Sequence, residues 1–206
     1  MNIQVEAKRL IREWISADLS ALGLSTRTME RGSKLEELGR EYVPGSRDKG
    51  SSLGLLEIQR GPIRWLNILE HIYGSSLHHQ RAAYLNVYLV PDRDIVKKRC
   101  KKVESSQVRS KRFFGRVVGI RWKGECVEGG DLIERLNSDL QLNSLLVGLG
   151  EQLVISQELD FWVIKPKHPY VEPWLPRQSS FWGRQMSQRQ WDCYSAIAQQ
   201  LLKPAS

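Results

Sequence analysis

Helix-type and strand-type patterns occupy separate stretches of this chain rather than alternating. Residues Ile3 to Leu22 repeat apolar side chains at helical spacing and stop before Gly23. Strand-type segments follow from Leu55 onward, then a pair of short helices, two further strands and a last helix. Such grouping favours an α+β fold with a largely antiparallel sheet. We therefore predict an N-terminal helix, a central helix pair and a C-terminal helix packed on that sheet.

The strand-type segments are recognised by their β-branched and aromatic residues. The run from Tyr84 to Val90 is the richest of them. The preceding run, Ile63 to Tyr73, also fits a helix, but it pairs naturally with residues 82–90 across a short loop, so we predict a hairpin. Further strands are predicted over Arg116 to Trp122, Leu153 to Ser156 and Phe161 to Lys165.

Two of the predicted helices begin with capping signals. Asp131 precedes Glu134 by three residues, and Ser187 precedes Gln190 by the same spacing. In each pair the first side chain can accept a hydrogen bond from a free backbone N–H of the first helical turn. Apolar residues at helical spacing follow both pairs, in the second case as far as Pro204. The sequence therefore predicts a central helix pair starting near residue 131 and a C-terminal helix starting near residue 188.

The composition is that of an ordinary globular chain. The 206 residues are 41% hydrophobic and 26% charged, with neither an apolar run of membrane-spanning length nor a signal-peptide pattern. Three widely spaced cysteines suggest neither a disulfide framework nor a metal clip, and the four histidines show no metal-ligand spacing with them. We expect a cytoplasmic chain that forms a single α+β domain over residues 1–206, without metal or cofactor. Residues 25–53, rich in glycine, serine and charge, are predicted to form a mobile loop.

Charge placement is the feature that bears most on function. Between Arg93 and Lys123 twelve basic residues face two acidic ones, a local excess of ten, whereas the whole chain carries +8. Such a segment attracts nucleic-acid phosphates, because each neutralised phosphate releases counterions, and it equally attracts an acidic protein partner or anionic lipid. It also suits a solvated loop or edge strand. The residues predicted to bind are Lys97, Lys98, Arg99, Lys101, Lys102, Arg109, Lys111, Arg112, Arg116 and Arg121. Phe113, Phe114 and Trp122 are candidate stacking surfaces for unpaired bases.

Two other functions remain open. The chain lacks the phosphate-binding motifs GxxxxGK[ST] and GxGxxG and the zinc-protease motif HExxH. Residues 54–60 resemble the strand of metal-dependent nucleases, so one alternative is a metal-dependent nuclease or hydrolase with Glu57 and Asp92 as its candidate catalytic carboxylates. Alternatively, the chain is a protein-interaction scaffold that binds its partner through the tryptophan-rich segment 166–191, or this segment covers the core. Its aromatic candidates are Trp174, Phe181 and Trp182. We expect a binding protein rather than an enzyme.

Overall fold

The computed structural model describes residues 3–42, 46–73, 81–92, 100–111, 115–126, 130–167 and 186–203, and these show the predicted α+β fold. Within them, four helices accompany one eight-stranded antiparallel sheet. The helices are α1 (Ile3–Ala21), α2 (Gly130–Ser138), α3 (Leu140–Leu149) and α4 (Gln188–Leu201). The strands are β1 (Thr26–Thr28), β2 (Ser51–Ile58), β3 (Trp65–Tyr73), β4 (Arg81–Pro91), β5 (Cys100–Arg109), β6 (Val117–Cys126), β7 (Leu153–Glu158) and β8 (Phe161–Pro166).

The first and last helices end and begin where the sequence predicts. Gly23 adopts a φ of 77°, which lets Leu24 N–H donate to Leu19 C=O at 3.0 Å and closes α1. Ser187 Oγ accepts a hydrogen bond from Gln190 N–H at 3.2 Å and opens α4. None of the helices in the described ranges has the length and apolar character of a membrane span.

The central helix pair is also confirmed. α2 begins at Gly130, beside the predicted Asp131, whose carboxylate pairs with Arg135 at 2.8 Å one turn further on. α3 follows after a single residue, because the Asp139 carboxylate accepts a hydrogen bond from Leu142 N–H at 2.9 Å and starts a new helix there. The break between the two helices therefore lies at Asp139, the capping residue of α3.

The sheet has the strand order β1-β2-β3-β4-β8-β7-β5-β6. The predicted hairpin is confirmed: β3 and β4 pair along their length, from Trp65 opposite Leu89 to Tyr73 opposite Arg81. The strand β5 was missed by the sequence analysis. It lies inside the sheet between β7 and β6, although it is mostly polar, with Val103 as its fully buried apolar residue among those described. The hairpin of β7 and β8 inserts between β4 and β5, so two strands that follow one another in the sequence are not neighbours.

Side chains on the two faces of the sheet enter two separate cores. All four helices share one core with alternate residues of the strands, such as Leu66 and Ile68 of β3. Leu69, one residue out of step, belongs to a smaller core on the opposite face. That second core includes Leu38, which lies between β1 and β2 in the sequence. The sheet is thus covered by helices on one side and partly by an irregular segment on the other.

This irregular segment, residues 29–42, is called the strap here. It contains the short 3-10 helix Lys34–Glu37 and is held by buried polar side chains of the sheet. The Asn67 amide donates to the carbonyls of Glu36 and Leu38 at 3.0 and 3.1 Å, and Lys165 Nζ donates to that of Gly39 at 3.0 Å. Residues 25–53, predicted as a mobile loop, therefore include β1, the strap and the start of β2, and their mobility stays a prediction.

The cysteines differ from the sequence expectation. Cys126, at the end of β6, is disulfide-bonded and stands opposite Cys100 in the register of β5 and β6, whereas Cys193 of α4 is free and buried. The wide spacing of the cysteines suggested no disulfide framework, and the bonded state of Cys126 corrects this, because sequence spacing does not show which residues the folded chain brings together. Burial raises the pKa of Cys193 to about 12, so this thiol is uncharged and unsuited to nucleophilic chemistry.

A histidine of β3 is buried in an unusual state. His71 is 0% exposed, and neither ring nitrogen has a hydrogen-bond partner in the structure. Its ring lies so close to Gly50 that a Cβ there would stand 2.7 Å from Cε1. Burial lowers the pKa of His71, and the nearby Lys165 lowers it further, while Asp48 and Glu41 oppose the shift. The ring is therefore neutral at neutral pH.

We expect His71 to make folding sensitive to mild acid. Below about pH 6.5, the usual pKa of an unfolded histidine, the unfolded state gains a proton that the buried ring does not accept, so the free energy of unfolding falls. The difference in the free energy of unfolding between wild type and His71→Leu should change by at most about 1.4 kcal/mol per pH unit below about pH 6.5. Urea unfolding from about pH 8 to 5 measures it. Parallel pH profiles of the two proteins would contradict the assignment of a neutral buried ring.

Candidate functional site

The basic segment of the sequence forms a hairpin at the edge of the sheet. β5 and β6 pair from Cys100 opposite Cys126 to Arg109 opposite Val117, and β6 is the last strand in the order. We call residues 100–111 and 115–126 the basic hairpin. Every basic residue that the structure describes here is exposed: Lys101, Lys102, Arg109, Lys111, Arg116, Arg121 and Lys123. Of the other residues predicted to bind, Lys97, Lys98, Arg99 and Arg112 lie outside the described ranges.

The basic hairpin has two faces of opposite character. Ile120 and Trp122 of β6 are buried on the side that α2 and α3 contact. Arg121 and Lys123 alternate with them along the strand and lie on the other side. Glu104 shares that side, because it stands opposite Lys123 in the antiparallel register. We call this side the open face. Its charged and hydroxyl residues in this register are Lys102, Glu104, Ser106, Arg121, Lys123 and Glu125.

Glu104 is the centre of an ion-pair cluster on the open face. Lys102 Nζ lies 2.6 Å from one of its carboxylate oxygens and Lys167 Nζ lies 2.9 Å from the other. The hydrogen bond from Lys102 lowers the pKa of Glu104, and that from Lys167 lowers it further. The carboxylate is therefore charged throughout the neutral range, and it neutralises part of the positive charge of the face.

The remaining cations of the basic hairpin divide into one structural and five free side chains. Arg109 donates to Gln107 Oε1 at 3.0 Å and to the carbonyl of Gly115 at 3.3 Å, which braces the end of the hairpin. The other five form neither an ion pair nor a side-chain hydrogen bond with the residues that the structure describes: Lys101, Lys111, Arg116, Arg121 and Lys123. These five charges are free to meet an external anion.

Trp122 does not offer the stacking surface that the sequence analysis suggested. Its side chain is 1% exposed, and its indole N–H donates to Asn143 Oδ1 at 3.0 Å. The Asn137 side chain bonds both backbone groups of Trp122, at 2.8 and 3.1 Å. The residue therefore anchors β6 to α2 and α3 and cannot contact a base. Phe113 and Phe114 lie outside the described residues.

The two candidate catalytic carboxylates are not brought together. Glu57 lies on β2, where Arg27 and Arg64 each occupy one of its oxygens, at 2.6 and 2.9 Å. Asp92 follows β4 and accepts a hydrogen bond from the Gln157 side chain. Because β3 lies between β2 and β4, the backbones of β2 and β4 are about 10 Å apart. Among the described residues no group of three histidine, cysteine or acidic side chains is placed to hold a metal ion.

The aromatic candidates of segment 166–191, namely Trp174, Phe181 and Trp182, lie outside the described residues, so a scaffold role for them stays a prediction. Sequence analysis missed Lys167, which the strand order brings from the end of β8 to Glu104 of β5. No local signal could have revealed this residue, because its place depends on the insertion of β7 and β8 between β4 and β5.

Comparison with known proteins adds no family to this description. No protein-family model matches the chain, and neither a curated protein nor a solved structure matches it.

Proposed function

We propose that this chain binds nucleic acid through phosphate contacts made by the basic hairpin. The observation that best supports this is the set of five exposed cations that have no partner within the described part of the chain. A cation that is already paired must give up its partner before it binds a phosphate, whereas these five need only shed water. Their binding also releases counterions from the nucleic acid, which favours association entropically. The hairpin also lies at the rim of the sheet, where an extended ligand has access.

The spacing of two of these cations suits a phosphate backbone. Arg121 and Lys123 are two residues apart on one strand and on one face, so their Cα atoms are about 6.7 Å apart. This is close to the separation of successive phosphates along an extended nucleic-acid strand. Because Trp122 is buried, the described part of the hairpin offers no aromatic platform for bases. Binding should therefore depend steeply on salt and only weakly on base sequence.

We expect the combined variant Lys101→Ala, Arg121→Ala, Lys123→Ala to bind single-stranded DNA or RNA at least about tenfold more weakly at about 0.1 M salt. Its plot of log affinity against log salt should be shallower by about 2, because three phosphate contacts are lost and each contributes about 0.7 on a single strand. Fluorescence anisotropy of labelled oligonucleotides, titrated at several salt concentrations, measures both quantities.

The matched control is Arg47→Ala, Lys49→Ala, Arg60→Ala, which removes the same charge from exposed positions in the two turns that flank β2. It should keep most of the affinity and the full salt slope. Absence of binding by the wild type at low salt would overturn the proposal, and so would equal losses in the two variants. Polyglutamate serves as a competitor of acidic-protein character. If it displaces the oligonucleotide at an equal charge concentration, an acidic protein partner is favoured instead.

A further inference from the structure

The ion-pair cluster on the open face resembles an occupied anion site. Glu104 presents two oxygens and one negative charge, and an ammonium group lies within 2.9 Å of each oxygen. The two lysines come from different parts of the chain, β5 and the residue following β8. The site is solvent-accessible, since the Lys102, Lys167 and Glu104 side chains are 50, 35 and 32% exposed.

A backbone phosphate has the same recognition chemistry as this carboxylate. A phosphodiester carries one negative charge shared by two unesterified oxygens on one atom, and lysine binds either anion as a point charge. The Lys123 side chain lies on the same face directly across from Glu104. A nucleic-acid strand that contacts Lys123 therefore passes over the ion-pair cluster. Phosphate and carboxylate therefore compete for the same two ammonium groups.

We propose that Glu104 occupies a phosphate subsite and acts as a built-in competitor that limits the affinity of the open face for nucleic acid. The inference rests on the proposed function and adds its regulation: Lys102 and Lys167 become available only when the backbone displaces the carboxylate. The hydrogen bond to Glu104 also raises the pKa of Lys102, so both partners keep their charge at neutral pH and the competition is permanent.

The test compares Glu104→Gln with Glu125→Gln. Both changes remove one negative charge from the open face, but Glu125, which stands opposite Lys102, is exposed and forms no ion pair with any described residue. We expect Glu104→Gln to bind a single-stranded oligonucleotide roughly tenfold more tightly at about 0.1 M salt, with a salt slope steeper by about 1.4, the equivalent of two added phosphate contacts. Glu125→Gln should tighten binding by no more than about threefold and leave the slope unchanged.

A second variant tests whether the gain in binding comes from the released ammonium groups rather than from the change in net charge. Adding Lys102→Met to Glu104→Gln should remove about half of the gained slope, since one of the two released ammonium groups is lost. Circular dichroism melting of each variant checks that the fold is retained. Equal gains for Glu104→Gln and Glu125→Gln would overturn the inference and leave the proposed function intact. Weaker binding by Glu104→Gln would also overturn it, because Glu104 would then hold the lysines in place for binding. Absence of binding by wild type and all variants would overturn both.

Discussion

Replacement of Trp122 by alanine is expected to destabilise the folded chain by about 3–5 kcal/mol, the usual cost of deleting a large buried aromatic side chain. Trp122 is 1% exposed, and it is the largest of the fully buried side chains among the described residues. Its removal opens a cavity between β6 and the helices α2 and α3. It also leaves Asn143 Oδ1 without the hydrogen bond that the indole N–H donates to it.

Urea unfolding monitored by circular dichroism measures this loss. Trp14→Ala is the matched control, because this tryptophan is 42% exposed on α1 and should cost far less. Trp122→Phe separates packing from hydrogen bonding, because it keeps an aromatic ring but leaves the Asn143 acceptor without a donor. The free energy of unfolding should then fall by about 1–3 kcal/mol. A cost for Trp122→Ala no greater than that for Trp14→Ala would contradict the assignment of Trp122 to the core.

Gly39→Ala is the second large effect, with an expected loss of about 2–5 kcal/mol. Gly39 has a φ of 76°, where a side chain costs about 1–2 kcal/mol. A Cβ at this position would also stand 2.5 Å from Val87 Cγ1 and 3.3 Å from Val163 Cγ1, so the strap would have to lift from the sheet, at a further cost of about 1–3 kcal/mol. The strap is held here by the bond from Lys165 to the Gly39 carbonyl, which the shift would weaken.

Gly23→Ala isolates the packing contribution. Gly23 has a nearly identical φ of 77°, but its Cβ would meet nothing within 4 Å, so this variant incurs only the conformational cost. Chemical denaturation of both variants gives the two losses, and their difference reports how tightly the strap is pressed onto Val87. Equal losses would show that the strap can lift from the sheet at little cost, in keeping with the predicted mobility of residues 25–53.

The two residues with the largest expected effects differ in how far the sequence points to them. The strand Arg116 to Trp122 was predicted from the sequence, and the two-residue period of any strand places Trp122 on the same side as Ile120. Its burial, however, depends on α2 and α3, which are held to β6 by Asn137 and Asn143. Gly39 carried no signal, since the need for glycine comes from Val87 and Val163 on strands far away in the sequence.

The candidate site shows the same division. Exposure of the basic residues of the basic hairpin was predictable, because charged side chains are seldom buried, and those that the structure describes there are all exposed. Which of them are free and which are paired was not predictable. Lys102 and Lys123 look alike in the sequence, yet Lys102 forms an ion pair with Glu104, whereas Lys123 has no partner among the residues described by the structure.

The sequence by itself determined the fold class, the helix positions and the β3–β4 hairpin, because periodicity, caps and short loops act within a few turns or one pair of strands. Tertiary structure decided the strand order, the polar strand β5 and the meeting of Lys167 with Glu104. In β5 the apolar alternation is too weak to identify a strand, and it forms because β6 and β7 satisfy its backbone hydrogen bonds on both sides. Pairings between distant strands follow from burying both faces of the whole sheet at once, which no local stretch of sequence records.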